Sequence, residues 1–199
     1  IFTTDHGDFA GQYGLIEKWD TCMADCIMRS PLLLWAPGLA TGARVDSMSA
    51  HTDIPSTVLD LLGLQPDWGV HGASLLPVLR GERRVTAVFA DGGHEEEMWG
   101  RFNFDRAGGA KPLNGKQRTY AECPESMARA KMVRTPTHKL VMRLAGGNEL
   151  YCLQDDPWEL NNRWGDPALA HLSRELMQLL IEWCLRTDTD RPYQAQVGA

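Results

Sequence analysis

Ile1-Phe2-Thr3-Thr4-Asp5-His6-Gly7-Asp8 joins a strand to a loop. Ile-Phe-Thr carries the β-branched and aromatic residues of a strand, and Asp-His-Gly-Asp carries the polar and flexible residues of a turn. In open α/β sheets the carboxyl end of a strand is where ligands bind, so Asp5 and His6 fall at a position of chemical interest. A carboxylate oxygen beside an imidazole nitrogen suits a divalent cation, and Gly7 is expected to let the backbone turn tightly beside it. Two donors do not complete a metal site, and no other cluster in the sequence obviously supplies the rest. The other reading of the same residues is a strand-end turn in which Asp5 caps the backbone. With no initiator Met and no charged and apolar leader before it, Ile1 reads as part of a strand already under way. The chain is therefore expected to be the C-terminal part of a longer protein.

Outward from this stretch, Glu17 to Arg29 shows no clear periodicity. Pro31-Leu32-Leu33-Leu34-Trp35, stopped by Pro37-Gly38, predicts a short buried strand. Thr52 to Leu62 predicts a helix: Asp53 can cap it, Pro55 sits near its start, Val58, Leu59 and Leu62 share a side, and Gly63 ends it. Thr86 to Ala90 predicts a strand. Asp91 to Glu122 is rich in glycine and charge and predicts a long loop, of the kind that serves as a lid or binding loop. Residues 130–134, 139–143 and 149–153 predict three consecutive strands with turns at Thr135-Pro136 and Gly146-Gly147, an antiparallel meander. Asp166 as N-cap and Pro167 at the first helical position open the last helix. Its Leu169, Leu172, Leu176, Leu179, Leu180 and Trp183 form one apolar stripe, expected to pack on the meander. The organisation expected is an α/β core edge over residues 1–85, followed by a small α+β subdomain over 86–199 with the long loop 91–122.

Composition narrows the class. The 199 residues carry 20 Lys plus Arg against 26 Asp plus Glu, a net charge of −6, which argues against a general nucleic-acid binder. Hydrophobic residues make up 43% and charged residues 23%, the balance of a globular chain. No apolar run approaches the ~18–20 residues that cross a bilayer. Five cysteines, odd in number and scattered, do not make a disulfide scaffold and do not fix a redox compartment. Cys22-x-x-x-Cys26 lacks the second pair a zinc site needs and reads as packing. Asn114-Gly115-Lys116 fails as a P-loop, because Ala110 and Gln117 stand where Gly and Ser or Thr are required. His94-Glu95-Glu96-Glu97 reads as a solvated acidic loop that could line the mouth of a site, with His94 as a candidate substrate contact. His51, His71, His138 and His171 have no partner visible in sequence and read as structural or exposed.

Several blocks, in order and over nearly the whole chain, carry a family resemblance. They are Thr3-Thr4-Asp5-His6-Gly7-Asp8 with Gly11 and Lys18; Arg29-Ser30-Pro31-Leu32 running to Pro37-Gly38; Asp53-Ile54-Pro55-Ser56-Thr57; Gly72-Ala73-Ser74-Leu75-Leu76-Pro77; and Glu149-Leu150-Tyr151 with Asp156-Pro157-Trp158-Glu159-Leu160-Asn161. Each is weak alone. Together they resemble the sulfatase family of the alkaline phosphatase superfamily. The resemblance implies the C-terminal part of an alkaline-phosphatase-like α/β sandwich, followed by the small α+β subdomain with its antiparallel sheet and C-terminal helix. It implies that Asp5 and His6 are ligands of a divalent metal, usually calcium, with manganese or zinc left open by the imidazole. It implies that Lys18 is a catalytic residue contacting the sulfate. A metal and a fixed ammonium both stabilise the charge that spreads over a sulfate ester under attack. The implied substrate is a small-molecule or saccharide sulfate ester.

Two departures qualify the implication. Tyr13 stands where many relatives carry His. The Cys/Ser-x-Pro-x-Arg motif, whose first residue is oxidised to formylglycine, is absent; Cys123-Pro124 has its proline one place early. Formylglycine and the remaining metal ligands are therefore expected upstream, and the 199-residue chain alone is expected to be inactive. A phosphonate or phosphodiester hydrolase of the same superfamily is the near alternative, with manganese or zinc. A non-catalytic segment that binds nothing is the alternative from another class. Substrate identity, oligomeric state and localisation are not legible.

Overall fold

The computed structural model describes residues 1–19, 21–39, 42–65, 68–94 and 115–188, except the side chains of residues 115–117 and 121. Its largest sheet has four antiparallel strands in the order β5 (Val88–Gly92), β6 (Ala130–Arg134), β7 (His138–Arg143) and β8 (Glu149–Cys152). The three strands expected after residue 130 are present, and β5 pairs on their outer side. Register sets Phe89 opposite Val133, Val133 opposite Leu140 and Leu140 opposite Leu150, so one apolar row crosses all four strands on one face.

That row is covered by the last helix, α5 (Ala170–Thr187), through Leu176 and Leu180. Asp166 caps the 3-10 turn Pro167–Leu169 ahead of it by accepting from the Ala168 N–H at 2.9 Å. The stripe read from the sequence holds for Leu169, Leu172, Leu176, Leu180 and Trp183, whereas Leu179 is exposed. At 100° per residue Leu179 falls at the margin of the stripe, where it stays open to solvent. Trp183 also stacks on Phe89, with centroids 5.3 Å apart.

Strand alternation sends the neighbours of these residues to the opposite face: Met132 and Arg134 from β6, Lys139, Val141 and Arg143 from β7. This face is also covered, by residues 21–28 including α1 (Asp25–Met28). Met23 packs there with Ala130, Met132 and Val141. Covering on both sides is why Lys139 is wholly buried, an outcome its sequence position does not announce.

The first third is built from short pieces. β1 (Phe2–Thr3) pairs antiparallel with β4 (Leu32–Leu33), and β2 (Phe9–Ala10) with β3 (Ile16–Glu17). The buried strand expected at 31–35 is instead half open: Leu33 and Trp35 are exposed, because among the described residues only the two-residue β1 lies beside β4. α2 (Asp53–Leu61) matches the predicted helix, but Asp53 is not its cap residue. Asp53 accepts from the Ala50 N–H and the Ala73 N–H, both at 2.9 Å, and so ties the helix start to the Gly72–Pro77 turn. Thr57, fully buried, accepts from the Leu75 N–H at 2.9 Å, and Ser56 donates to the Gly72 carbonyl at 2.8 Å. Gly72 permits this clamp, since a Cβ there would stand 1.8 Å from the Thr52 carbonyl oxygen. The turn leads into the short α3 (Leu76–Leu79).

The long loop expected over 91–122 is corrected at both ends. β5 runs on to Gly92, and Gly115–Glu122 forms a helix, α4. Weak apolar periodicity hid α4, whose sequence is mostly polar. Residues 95–114, including the acidic run Glu95–Glu97, lie outside the described residues. No described helix is long and apolar enough to cross a membrane.

Candidate functional site

Asp5 and His6 follow β1. The Asp5 side chain is exposed, and its Oδ1 accepts the His6 backbone N–H at 3.0 Å. That bond holds the Asp5 carboxyl below its usual pKa, and the charges of His6 and Lys18 act in the same direction. The lysine, thirteen positions later in the sequence, thus lies close enough for its charge to reach Asp5.

The His6 ring is oriented from both sides. Nδ1 lies 2.5 Å from the Gly7 carbonyl oxygen and must donate to it. In the neutral ring, Nε2 then carries the lone pair, and it lies 3.4 Å from Asp5 Oδ2. Two electron-rich donors at that distance can share one cation. Two donors each about 2.0–2.6 Å from one cation, at right angles, stand about 3–3.7 Å apart. The Asp5–His6 spacing therefore fits two adjacent positions around a divalent ion, with the Gly7 carbonyl fixing the tautomer as metal-bound histidines require.

Gly7 has a different reason from the one expected. A Cβ there would stand 1.9 Å from the Cys26 carbonyl oxygen, and the Gly7 N–H donates to the Ile27 carbonyl at 2.7 Å. The glycine lets the backbone beside His6 lie flat against α1.

Lys18 follows the hairpin formed by β2 and β3. The hairpin tip has left-handed backbone at Gly11, Tyr13 and Gly14, and the return strand has it again at Glu17. Tyr13 makes an edge-on contact with buried Phe9, centroids 5.7 Å apart, and its hydroxyl donates to the Trp158 carbonyl at 2.6 Å. Burial, with the charge of Glu159 behind it, pushes the Tyr13 hydroxyl up to about 12, so it stays a donor. The group occupying the departure position is therefore engaged with the 156–160 turn.

His51 was not singled out from the sequence. Its Nε2 donates to the Thr4 carbonyl at 2.8 Å, one residue before Asp5. No spacing signal connects position 51 to position 4; the contact is visible only in the folded chain. His94 sits just past β5, half-buried, with its N–H donating to the Met127 carbonyl at 2.9 Å.

Behind α1 lies a neutral set of four charges. Arg134 grips Asp25 with Nε to Oδ1 at 3.0 Å and Nη2 to Oδ2 at 2.7 Å. Lys139 reaches Asp25 Oδ1 at 2.5 Å, the Met23 carbonyl at 2.9 Å, and the Glu159 carboxylate. Glu159 also accepts the Asp25 N–H at 2.7 Å. This cluster joins the sheet, the 156–160 turn and α1, which in turn holds Gly7. Cys22 and Cys26, on this segment, are free thiols with pKa raised by burial.

No family model matches the chain. It is 28% identical over 187 residues to N-acetylglucosamine-6-O-sulfatase of Bacteroides thetaiotaomicron, covering 92% of this chain and 29% of that protein. A solved structure of a protein in complex with its substrate D-glucosamine-2-N,6-O-disulfate superposes with a TM-score of 0.68 at 26% identity, over 92% of this chain and 33% of that one. Over most of its length the chain is thus similar to sulfatases in sequence and to this substrate-bound protein in fold. A phosphonate monoester hydrolase of Agrobacterium radiobacter shares the fold at 24% identity and a TM-score of 0.72, over 93% of this chain and 34% of that one. The chain thus spans about a third of the length of the relatives it matches.

Asp5 and His6 bring only two potential donors together. Among the described residues no group of three or more His, Cys, Asp or Glu gathers as a metal-binding set. The two residues fit a divalent cation in donor type and spacing, and would supply two positions around one.

Proposed function

We propose that the chain carries part of the active site of a metal-dependent sulfatase. In this reading Asp5 Oδ2 and His6 Nε2 are two of the metal ligands, and Lys18 holds the sulfate group of a sulfate ester. When bound, the metal supplies charge stabilisation to the ester oxygens. The observation that carries the reading is the 3.4 Å approach of His6 Nε2 to Asp5 Oδ2, with Nδ1 already committed to the Gly7 carbonyl. Lys18 adds a single positive charge whose field reaches Asp5, suited to an oxyanion. The sulfated glucosamine bound to the solved relative supports a saccharide sulfate as the ester class. His94 is assigned to the substrate side.

Calcium fits the carboxylate and manganese or zinc fits the imidazole. The nitrogen donor also favours a second reading, a phosphonate or phosphodiester hydrolase, and one 28% identical relative is a multifunctional alkaline phosphatase superfamily protein of Trinickia caryophylli. Titration of Ca2+, Mn2+ and Zn2+ into the chain, with Asp5→Ala and His6→Ala beside it, tests the ligand assignment and separates the two. Binding lost in both variants supports the assignment, and a strong preference for a transition metal favours the second reading. Binding unchanged in both variants refutes it. With two donors the chain is expected to bind metal weakly and to turn over no sulfate ester.

A further inference from the structure

The hairpin that carries Lys18 is too small to hold itself. β2 and β3 are two residues each, and an isolated two-stranded hairpin is marginal in water. Its backbone is also unfavourable at Tyr13 (φ 56°) and Glu17 (φ 63°), where side chains oppose the left-handed conformation. Such conformations persist only where surrounding structure over-determines them.

The structure shows what does so. At the base, the Gly7 N–H is held by the Ile27 carbonyl. At the tip, the Tyr13 hydroxyl is held by the Trp158 carbonyl, 145 residues away in sequence. That carbonyl belongs to a rigid turn. Asp156 accepts from the Leu160 N–H at 3.0 Å and the Asn161 N–H at 2.8 Å, and Glu159 is locked into its ion pair with Lys139. Phe9, packed against the Tyr13 ring, sits directly across the hairpin from Glu17, the residue before Lys18.

We propose that Tyr13 is a positioning residue: its hydroxyl, bound to the Trp158 carbonyl, fixes the hairpin so that Lys18 is presented to the Asp5–His6 pair. Tyr13 acts through Lys18 and does not itself meet the anion. The proposal rests on the assignment of Lys18 to an oxyanion.

The test is Tyr13→Phe in the full chain, which keeps the ring on Phe9 and removes one oxygen. Backbone amide spectra are followed during titration with inorganic sulfate, then with Mn2+, and the thermal midpoint is recorded. A positioning role predicts sulfate affinity at residues 5–18 about tenfold weaker, the scale of one lost hydrogen bond. It also predicts faster amide exchange over 11–17, with Mn2+ broadening at His6 and the thermal midpoint close to the parent values. Equal sulfate affinity in parent and variant overturns the proposal, as does a joint fall of sulfate binding, Mn2+ binding and stability, which marks a merely structural residue. If the parent itself shows no response to either ion at residues 5–18, the functional reading fails and the positioning role falls with it.

Discussion

Lys139 and Glu159 meet as an ion pair that water does not reach, with side-chain exposures of 0% and 4%. Removing charges from water costs several kcal/mol per ion, and neighbours oppose that cost here: Asp25 and Arg134 complete a neutral set, Lys139 donates to the Met23 carbonyl, and Glu159 accepts the Asp25 N–H. Lys139→Met leaves two buried carboxylates facing one guanidinium. Urea unfolding is expected to show a loss of about 3–5 kcal/mol, the scale of a broken buried pair. A loss under about 1 kcal/mol, the range of a surface pair, contradicts the burial described.

The same cluster sets an acid limit. Burial raises the Asp25 carboxyl, but the Arg134 hydrogen bonds and the Lys139 charge outweigh it, so its pKa lies below the usual carboxylate value. A depressed carboxylate contributes stability above its unfolded pKa, about 3.9, and loses it as pH falls through the folded value. Stability is therefore expected to be flat in this contribution above about pH 5 and to fall below about pH 4. Asp25→Asn lowers stability at neutral pH and flattens the acid limb, which pH-dependent unfolding curves measure directly.

Much of this was legible in the sequence, for identifiable reasons. The meander and the last helix announce themselves because their apolar residues repeat at periods of two and 3.6. The Lys139 cluster does not, because Lys139 alternates correctly for a solvent-facing residue and only the covering by residues 21–28 buries it. The Asp53–Thr57 and Gly72–Pro77 blocks each read as weak signals, and their meaning is mutual: the side chains of one satisfy the backbone of the other. Asp5, His6 and Lys18 were readable as candidates from residue type and family resemblance. The roles of Gly7, Tyr13 and His51 were not, since each depends on a backbone group 19 or more residues away: the Cys26 and Ile27 carbonyls for Gly7, the Trp158 carbonyl for Tyr13 and the Thr4 carbonyl for His51.

Two glycines are steric requirements. An alanine Cβ at position 7 or 72 would stand within 2 Å of a backbone carbonyl oxygen, which has no rotamer by which to yield. Gly7→Ala and Gly72→Ala are each expected to cost about 1–3 kcal/mol or more by overpacking. Gly7→Ala also shifts the backbone next to His6 and weakens metal binding, whereas Gly72→Ala acts on α2. Calorimetric stability beside metal titration separates the two effects.

Thr57→Val keeps the shape of a fully buried side chain and removes the acceptor of the Leu75 N–H. An orphaned buried donor costs about 1–3 kcal/mol, so the thermal midpoint should fall, with amide exchange accelerated first at Leu75. Exchange at Leu75 unchanged from the parent contradicts the clamp.

The central claim is that Asp5, His6 and Lys18 serve one cation and one anion together. Its most direct measurement is the affinity of the chain for inorganic sulfate with and without saturating Mn2+. Two ligands sharing a site bind with mutual reinforcement, by the same factor in either order. The account predicts that Mn2+ strengthens sulfate binding in the parent, that Asp5→Ala abolishes this gain, and that Lys18→Ala removes the sulfate response while leaving Mn2+ binding intact. Sulfate binding that is indifferent to Mn2+ and unaffected by Lys18→Ala would contradict it.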